Sequence, residues 1–250
     1  MSSTTVSCMK PVSGFFHDAD NNSSKPKEIS QPPHFHEKPM TAIEIQANRQ
    51  QFLDYCRAYI QRDGLENLLN YIEKTDFFSA PSSTKFHLNT PGGLCKHCLN
   101  VFETALRINK YILLPQQQEG KCIFPEPLST ESIAIVALFH DVCKCNIYKE
   151  TERWRKNDMG KWEAYAGYEV VDEFPFGHGE KSCYMVSHYL RLKRDELLAI
   201  RWHMGMFDVG EAGSSNRYSF FAAIETSPLV LLLQLADNAS SHWLEETFVP

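Results

Sequence analysis

The residues best equipped for chemistry are His140 and Asp141, side by side at the end of the apolar run Ile133, Ala134, Ile135, Val136, Ala137, Leu138, Phe139. An imidazole and a carboxylate at the buried end of such a run need partners, because unpaired burial of polar or charged groups is costly. A divalent metal satisfies both at once, since borderline and hard cations accept nitrogen and oxygen ligands together. Four more residues share the setting of a helix end or an otherwise apolar face: His97, His178, His203 and Asp237. Each alone reads as a packed polar side chain. Together they form a mixed imidazole and carboxylate set from five helical segments, which is how a helical bundle assembles a metal site.

The elements that must hold these residues are helical, with one exception. Residues 1–40 are rich in Ser, Pro, Lys and Asn with few periodic apolar positions. Such a segment buries too little surface to offset its ordering entropy, so it reads as a flexible tail, with His34 and His36 as solvated loop residues. Thr41 and Glu44 have the spacing of a capping box. Ile45, Phe52, Tyr55, Cys56, Tyr59 and Ile60 follow at helical intervals, and after Gly64 so do Leu65, Leu68, Leu69 and Ile72. Residues 41–85 are thus accessory helices. After a loop over 77–91, Gly92 and Gly93 turn the chain into a helix that carries His97 and runs to about Leu114. Pro115, Pro125 and Pro127 mark a loop, and Ser129 is placed to cap the helix ending at His140 and Asp141. Residues 147–155 and 161–171 read as a hairpin around Asn157, Asp158, Met159 and Gly160. A helix from Gly177 to about Leu192, another from near Asp195 to His203, a glycine-rich loop over 209–215 and a helix starting at Ser227 and Pro228 complete the chain. The expected fold is all-α, a helical bundle with a small β-hairpin insert, whose core covers 86–246 of a domain spanning 41–250.

Composition narrows the function. Hydrophobic residues make up 43% and charged residues 22% of 250 positions, ordinary values for a globular chain. The net charge of −6 speaks against a protein that coats polynucleotides. No apolar stretch approaches the ~20 residues of a membrane span, and the first residues lack the basic start and apolar middle of a secretory signal. A cytoplasmic location is expected. The eight cysteines then read as free thiols. Cys95 with Cys98, and Cys143 with Cys145, have zinc-like spacing, but the first pair straddles His97 inside a helix and the second trails Asp141.

Two features outside the ligand set bear on substrate. Lys144 lies one turn beyond the His-Asp pair, either as a surface lysine or as a cation that neutralises charge on a phosphate. The hairpin carries Arg153, Arg155, Lys156 and Lys161 among Trp154, Trp162, Tyr165 and Tyr168. It is either a solvated hairpin with exposed rings or a lid whose cations meet phosphate and whose rings stack on a base.

These motifs resemble the HD superfamily of metal-dependent phosphohydrolases, named for the dipeptide seen here as His140-Asp141. The resemblance covers 86–246. It rests on Pro91-Gly92-Gly93-Leu94-Cys95-Lys96-His97, Phe139-His140-Asp141-Val142-Cys143-Lys144, Gly177-His178-Gly179, Trp202-His203-Met204-Gly205 and Leu235-Ala236-Asp237-Asn238. The stretch Gly167-Tyr168-Glu169-Val170-Val171-Asp172 is most similar to the HD domain of certain bacterial 3′–5′ exoribonucleases. An OB-fold precedes the domain there; residues 1–40 leave no room for one, so exoribonuclease activity is not implied.

The resemblance implies that His97, His140, Asp141 and Asp237 bind one metal. His178 and His203 match the extra histidines of HD members with a second metal, as in the HD-GYP cyclic-dinucleotide phosphodiesterases, with Asp141 as the bridge. The Gly-Tyr-Pro signature of that group is absent, as is a Glu near position 93 for a third metal, so cyclic dinucleotides are not implied. The implied cofactors are two divalent ions. Mixed nitrogen and oxygen ligation suits manganese or iron, with magnesium, nickel or cobalt also compatible. The implied reaction is hydrolysis of a phosphoester by metal-activated water, with Asp141 and Lys144 catalytic; the cations and rings of the hairpin, apart from the resemblance, make Arg153 and Arg155 the expected substrate-binding residues. The expected partner is a small phosphorylated substrate, a nucleotide or a short single-stranded nucleic acid, and no membrane. The same ligands also fit a mixed-valent di-iron oxygenase of the HD-like type, or a non-catalytic nucleotide-sensing module.

Overall fold

The computed structural model describes residues 39–247 apart from 158 and 212. The expected tail, with His34 and His36, lies outside the described residues but for Pro39 and Met40. The fold is mostly helical with one two-stranded sheet, as the sequence predicts. Helix α1 (Ala42–Tyr59) starts with the expected capping box: Thr41 Oγ1 accepts from Glu44 N–H at 3.3 Å and Thr41 N–H donates to Glu44 Oε2 at 2.7 Å. Helix α2 (Leu65–Ile72) buries Leu65, Leu68, Leu69 and Ile72. Gly92 begins α3 (Gly93–Ile108) from the left-handed region at φ 83°, where a side chain is strained.

Two boundaries differ from expectation. The helix through His97 does not stop before Pro115 but continues through a π-type turn, Asn109–Leu113, into α4 (Leu114–Gln118). Pro115 sits in the first turn of α4, where the missing N–H matters least. The helix opened by Gly177, α6, ends at Ser187 instead of near Leu192. A further helix, α8 (Ser215–Thr226), follows the glycine-rich loop and had no apolar periodicity to announce it.

The core is built around α5 (Thr130–Phe139). Its residues from Ser132 to Phe139 are all buried, the pattern of a helix enclosed on every side. Helices α1, α3 and α7 (Arg194–Trp202) pack on it, α9 (Pro228–Ala239) contacts α3, α5 and α7, and α6 (His178–Ser187) packs on α7. Ser227 caps α9 through Leu229 N–H, with Pro228 inside the first turn. Strands β1 (Tyr148–Lys156) and β2 (Trp162–Val170) pair antiparallel, Tyr148 opposite Val170 and Lys156 opposite Trp162. No single helix among the described residues is long and apolar enough to cross a membrane.

A buried ion pair ties the helix ends together on one side of α5. The Glu196 carboxylate accepts from Arg62 at 2.6 and 3.0 Å, from Ser132 Oγ at 2.7 Å and from Lys193 N–H at 2.7 Å. Burial raises its pKa, but Arg62 and the other donors outweigh that and hold it below the usual carboxylate range.

Candidate metal centre

All six expected ligands meet at one point in the helical core. His140 and His203 reach it by the same local device. Each is the first residue past a helix, α5 and α7 respectively, where the last carbonyls lack intrahelical partners. Their Nδ1 atoms bond the carbonyl three residues back, at 2.9 Å for Ala137 O and 2.7 Å for Ile200 O. Each ring is thereby pinned with Nδ1–H toward the helix and the Nε2 lone pair facing inward. His97, in the second turn of α3, has Nδ1 at 2.9 and 3.1 Å from the Glu245 carboxylate. His178, the first residue of α6, has Nδ1 at 3.2 Å from Cys143 Sγ.

With every Nδ1 engaged, four Nε2 atoms converge on Asp141. Its Oδ2 lies 3.5 Å from His97 Nε2 and 3.4 Å from His140 Nε2, while Oδ1 lies 2.9 Å from His178 Nε2 and 3.5 Å from His203 Nε2. Asp237, from α9, places Oδ1 3.3 Å from His97 Nε2. The two oxygens of Asp141 therefore face two half-sites: His97, His140 and Asp237 on one side, His178 and His203 on the other. Lys144 Nζ sits 2.7 Å from Oδ2.

Two observations show that these residues fit a cation. His97 Nε2 and His140 Nε2 face each other at 3.2 Å, a spacing that needs a proton or a metal cation between the two nitrogens. His203 Nε2 is buried without a hydrogen-bond partner. Donor atoms bound at ~2.1 Å to one ion lie about 3.0–3.4 Å apart, the spacing found here. His97 with His140 and Asp237, His140 with Asp141 and His203, and Asp141 with Cys143 and His178 each have donor atoms within 4.8 Å of one another.

The charges agree. Burial disfavours an imidazolium at His97, but Glu245 and Asp237 outweigh it and raise the pKa to about 10. His178 is raised to about 9, against its burial, by Cys143 and Asp141. Asp141 is held well below the carboxylate range, Lys144 and the histidines overcoming its burial. Burial disfavours the Lys144 cation, yet Asp141 keeps its pKa raised. The centre is built to hold positive charge.

A family comparison agrees with the ligand geometry: the HD domain profile matches residues 94–241, more than half of the chain. The chain belongs to the HD-domain family. Comparison with curated proteins returned no match, and comparison with solved structures returned none. HD domains form a superfamily of metal-dependent phosphohydrolases, and the buried His and Asp cluster of this one can hold metal.

In this HD domain some residues stand where sequence reasoning did not look. Glu245 lies 148 positions from His97, on a segment after the last helix with no periodic signal. His87, in the loop before α3, packs its ring against His97 in a tilted arrangement, with 4.9 Å between centroids. Burial and His97 lower its pKa to about 4. Cys143 partners His178 rather than joining Cys145 in a zinc pair, and Cys95 and Cys98 are buried in the apolar core. The hairpin arginines are engaged within the hairpin. Arg155 pairs with Glu163 at 2.9 Å and lies over the Tyr165 ring, and Arg153 Nη2 donates to Tyr168 O. The structure brings Lys144 to the cluster and leaves both arginines with partners on their own sheet.

Proposed function

We propose that this HD domain is a dinuclear metal-dependent phosphohydrolase acting on a phosphoester of a nucleotide or short oligonucleotide. The observation that carries the reading is the division of Asp141, one oxygen toward His97 and His140 and the other toward His178 and His203. His97, His140 and Asp237 would hold one ion, His178 and His203 the other, with Asp141 shared. Manganese or iron suits these donors. Bound there, the two cations would supply a water of lowered pKa and charge stabilisation for the phosphoryl oxygens.

The chain's own residues do the rest. Ala137 O, Ile200 O and Cys143 Sγ hold the imidazoles of His140, His203 and His178 in orientation. Lys144 is charged, largely buried and 2.7 Å from Asp141. It orients that carboxylate and offers its remaining protons to the phosphoryl oxygens as their charge grows. The apolar wall of α5 keeps the dielectric low, which strengthens each of these interactions.

The test is an anaerobic screen of nucleoside mono-, di- and triphosphates, cyclic nucleotides, short single strands and nitrophenyl esters with Mn2+ or Fe2+. Phosphoester cleavage without oxygen, lost in His140→Ala, is the expected result. Oxygen uptake with no ester cleaved would replace the reading with an oxygenase.

A further inference from the structure

We infer that Glu245 is a positioning residue for the metal centre, the carboxylate that orients and polarises His97. The inference rests on the reading of His97 as a metal ligand and adds to it a group from outside the ligand set. The Glu245 side chain is fully buried beside the cluster. Its Oε2 lies 2.9 Å and its Oε1 3.1 Å from His97 Nδ1, and Oε1 also accepts from Asn100 Nδ2 at 3.0 Å. Asn100 is one helical turn beyond His97 on α3, so Glu245 grips two side chains of one helix face.

The approach is directional. His97 Nδ1 and Nε2 lie on opposite edges of the ring, so a carboxylate on Nδ1–H leaves the Nε2 lone pair aimed at Asp237, His140 and Asp141. A negative partner at Nδ1 also makes Nε2 a stronger donor. The other histidines of the centre have different partners: backbone carbonyls for His140 and His203, Cys143 Sγ for His178. Of the four, His97 is the one whose Nδ1 faces a carboxylate.

The backbone explains how a residue so far along the chain arrives there. Past α9 the chain makes a π-type turn, Ser240–Leu244, and Glu245 leaves it in extended conformation. Leu88 N–H then donates to Glu246 O at 2.8 Å, fastening this segment to the loop that carries His87. The same segment thus closes over His97 from the side away from Asp141. His87 Nε2 is 3.9 Å from Glu245 Oε2, and a group of His87, His97 and Glu245 has its donor atoms within 4.8 Å. A cation bound there through His97 Nδ1 would compete with the Nδ1–H···O contact, so the two roles of Glu245 exclude each other and are separable by counting ions.

The experiment uses the full chain. Mn2+ affinity and stoichiometry are measured by electron paramagnetic resonance of free Mn2+ for the parent, Glu245→Ala, Glu245→Gln and His97→Ala, with circular dichroism of the metal-free proteins as the folding control. Gln keeps the shape and one acceptor oxygen, so a merely structural role would leave it at the parental level. A polarising carboxylate has a different signature. Glu245→Ala weakens the first ion about 10–100-fold, and Glu245→Gln weakens it by at least about threefold, a neutral acceptor being roughly half as strong, while the number of ions stays the same. Parental affinity in Glu245→Gln overturns the inference, even where Glu245→Ala fails to fold, and so does loss of an additional ion, which would make Glu245 a ligand. His97→Ala separates the two levels. If it retains full Mn2+ binding, the metal reading of the centre fails; if it loses an ion while both Glu245 variants match the parent, only the role of Glu245 fails.

Discussion

Asp141→Asn is the substitution that most sharply tests a shared carboxylate. It changes one oxygen to an amide of the same size and removes one negative charge from the middle of the cluster. In the structure that charge lies 2.7 Å from Lys144 Nζ and 2.9–3.5 Å from the Nε2 atoms of four histidines. At 2.7 Å and an effective dielectric constant near 20, a pair of unit charges attracts by about 6 kcal/mol. Histidines can release protons when the carboxylate goes, but Lys144 is left buried and unpaired. Loss of one partner from a buried pair costs about 3–5 kcal/mol, so the metal-free variant should unfold at correspondingly lower urea. The metal consequence is more specific, because the Nδ2 amide cannot act as a ligand and either half-site loses an anionic donor. Metal content after dialysis should fall from two ions to none per chain, whereas Asp237→Asn should lose only the ion held with His97 and His140. Atomic emission on dialysed protein reads both. If Asp141→Asn keeps one ion firmly, the carboxylate is not shared and the two half-sites do not exist as drawn.

Other outcomes follow from the same geometry. Lys144→Met should lower kcat about 10²–10³-fold with metal content unchanged, checked by steady-state kinetics beside metal analysis; loss of the ions would assign Lys144 to assembly instead. Arg153→Ala with Arg155→Ala should raise KM severalfold, since Arg153 donates only to the neutral Tyr168 O and its Nε has no partner, which leaves its charge for a phosphate; a KM within about twofold of the parent would remove both arginines from substrate binding. Gly179→Ala would place a Cβ 2.3 Å from Arg201 O, forcing α6 off α7. Overpacking of this kind costs about 1–3 kcal/mol, and it should weaken the ion held by His178 and His203 before the other, as read by titration. The Glu196 carboxyl has a folded pKa below its unfolded value. Its contribution is therefore complete above about pH 4.3 and lost as pH falls through the folded value, so Glu196→Gln should flatten the acid limb of urea stability between pH 5 and pH 3, and an unchanged limb would refute the linkage.

Sequence by itself picked out the six polar residues that the structure brings together and the helices that carry them. The reason is that helix ends and apolar faces are local: the run before His140, the cap at Ser227 and the paired glycines before His97 each specify their own segment. Hence the mostly helical class, the presence of the hairpin and the six candidate ligands were legible one segment at a time. Their joint meaning came from coincidence of type, since six polar residues in buried settings need a common partner.

Tertiary structure decided what local pattern cannot encode. That Asp141 turns one oxygen to each half-site depends on the angles at which α3, α5, α6, α7 and α9 meet. That Glu245 backs His97 depends on a contact across 148 positions, made by a segment with no periodicity. That Arg155 spends its charge on Glu163 depends on cross-strand register, which sets the two opposite each other. Residue type names a candidate ligand or cation; only packing says which atom faces it and whether its charge is already taken.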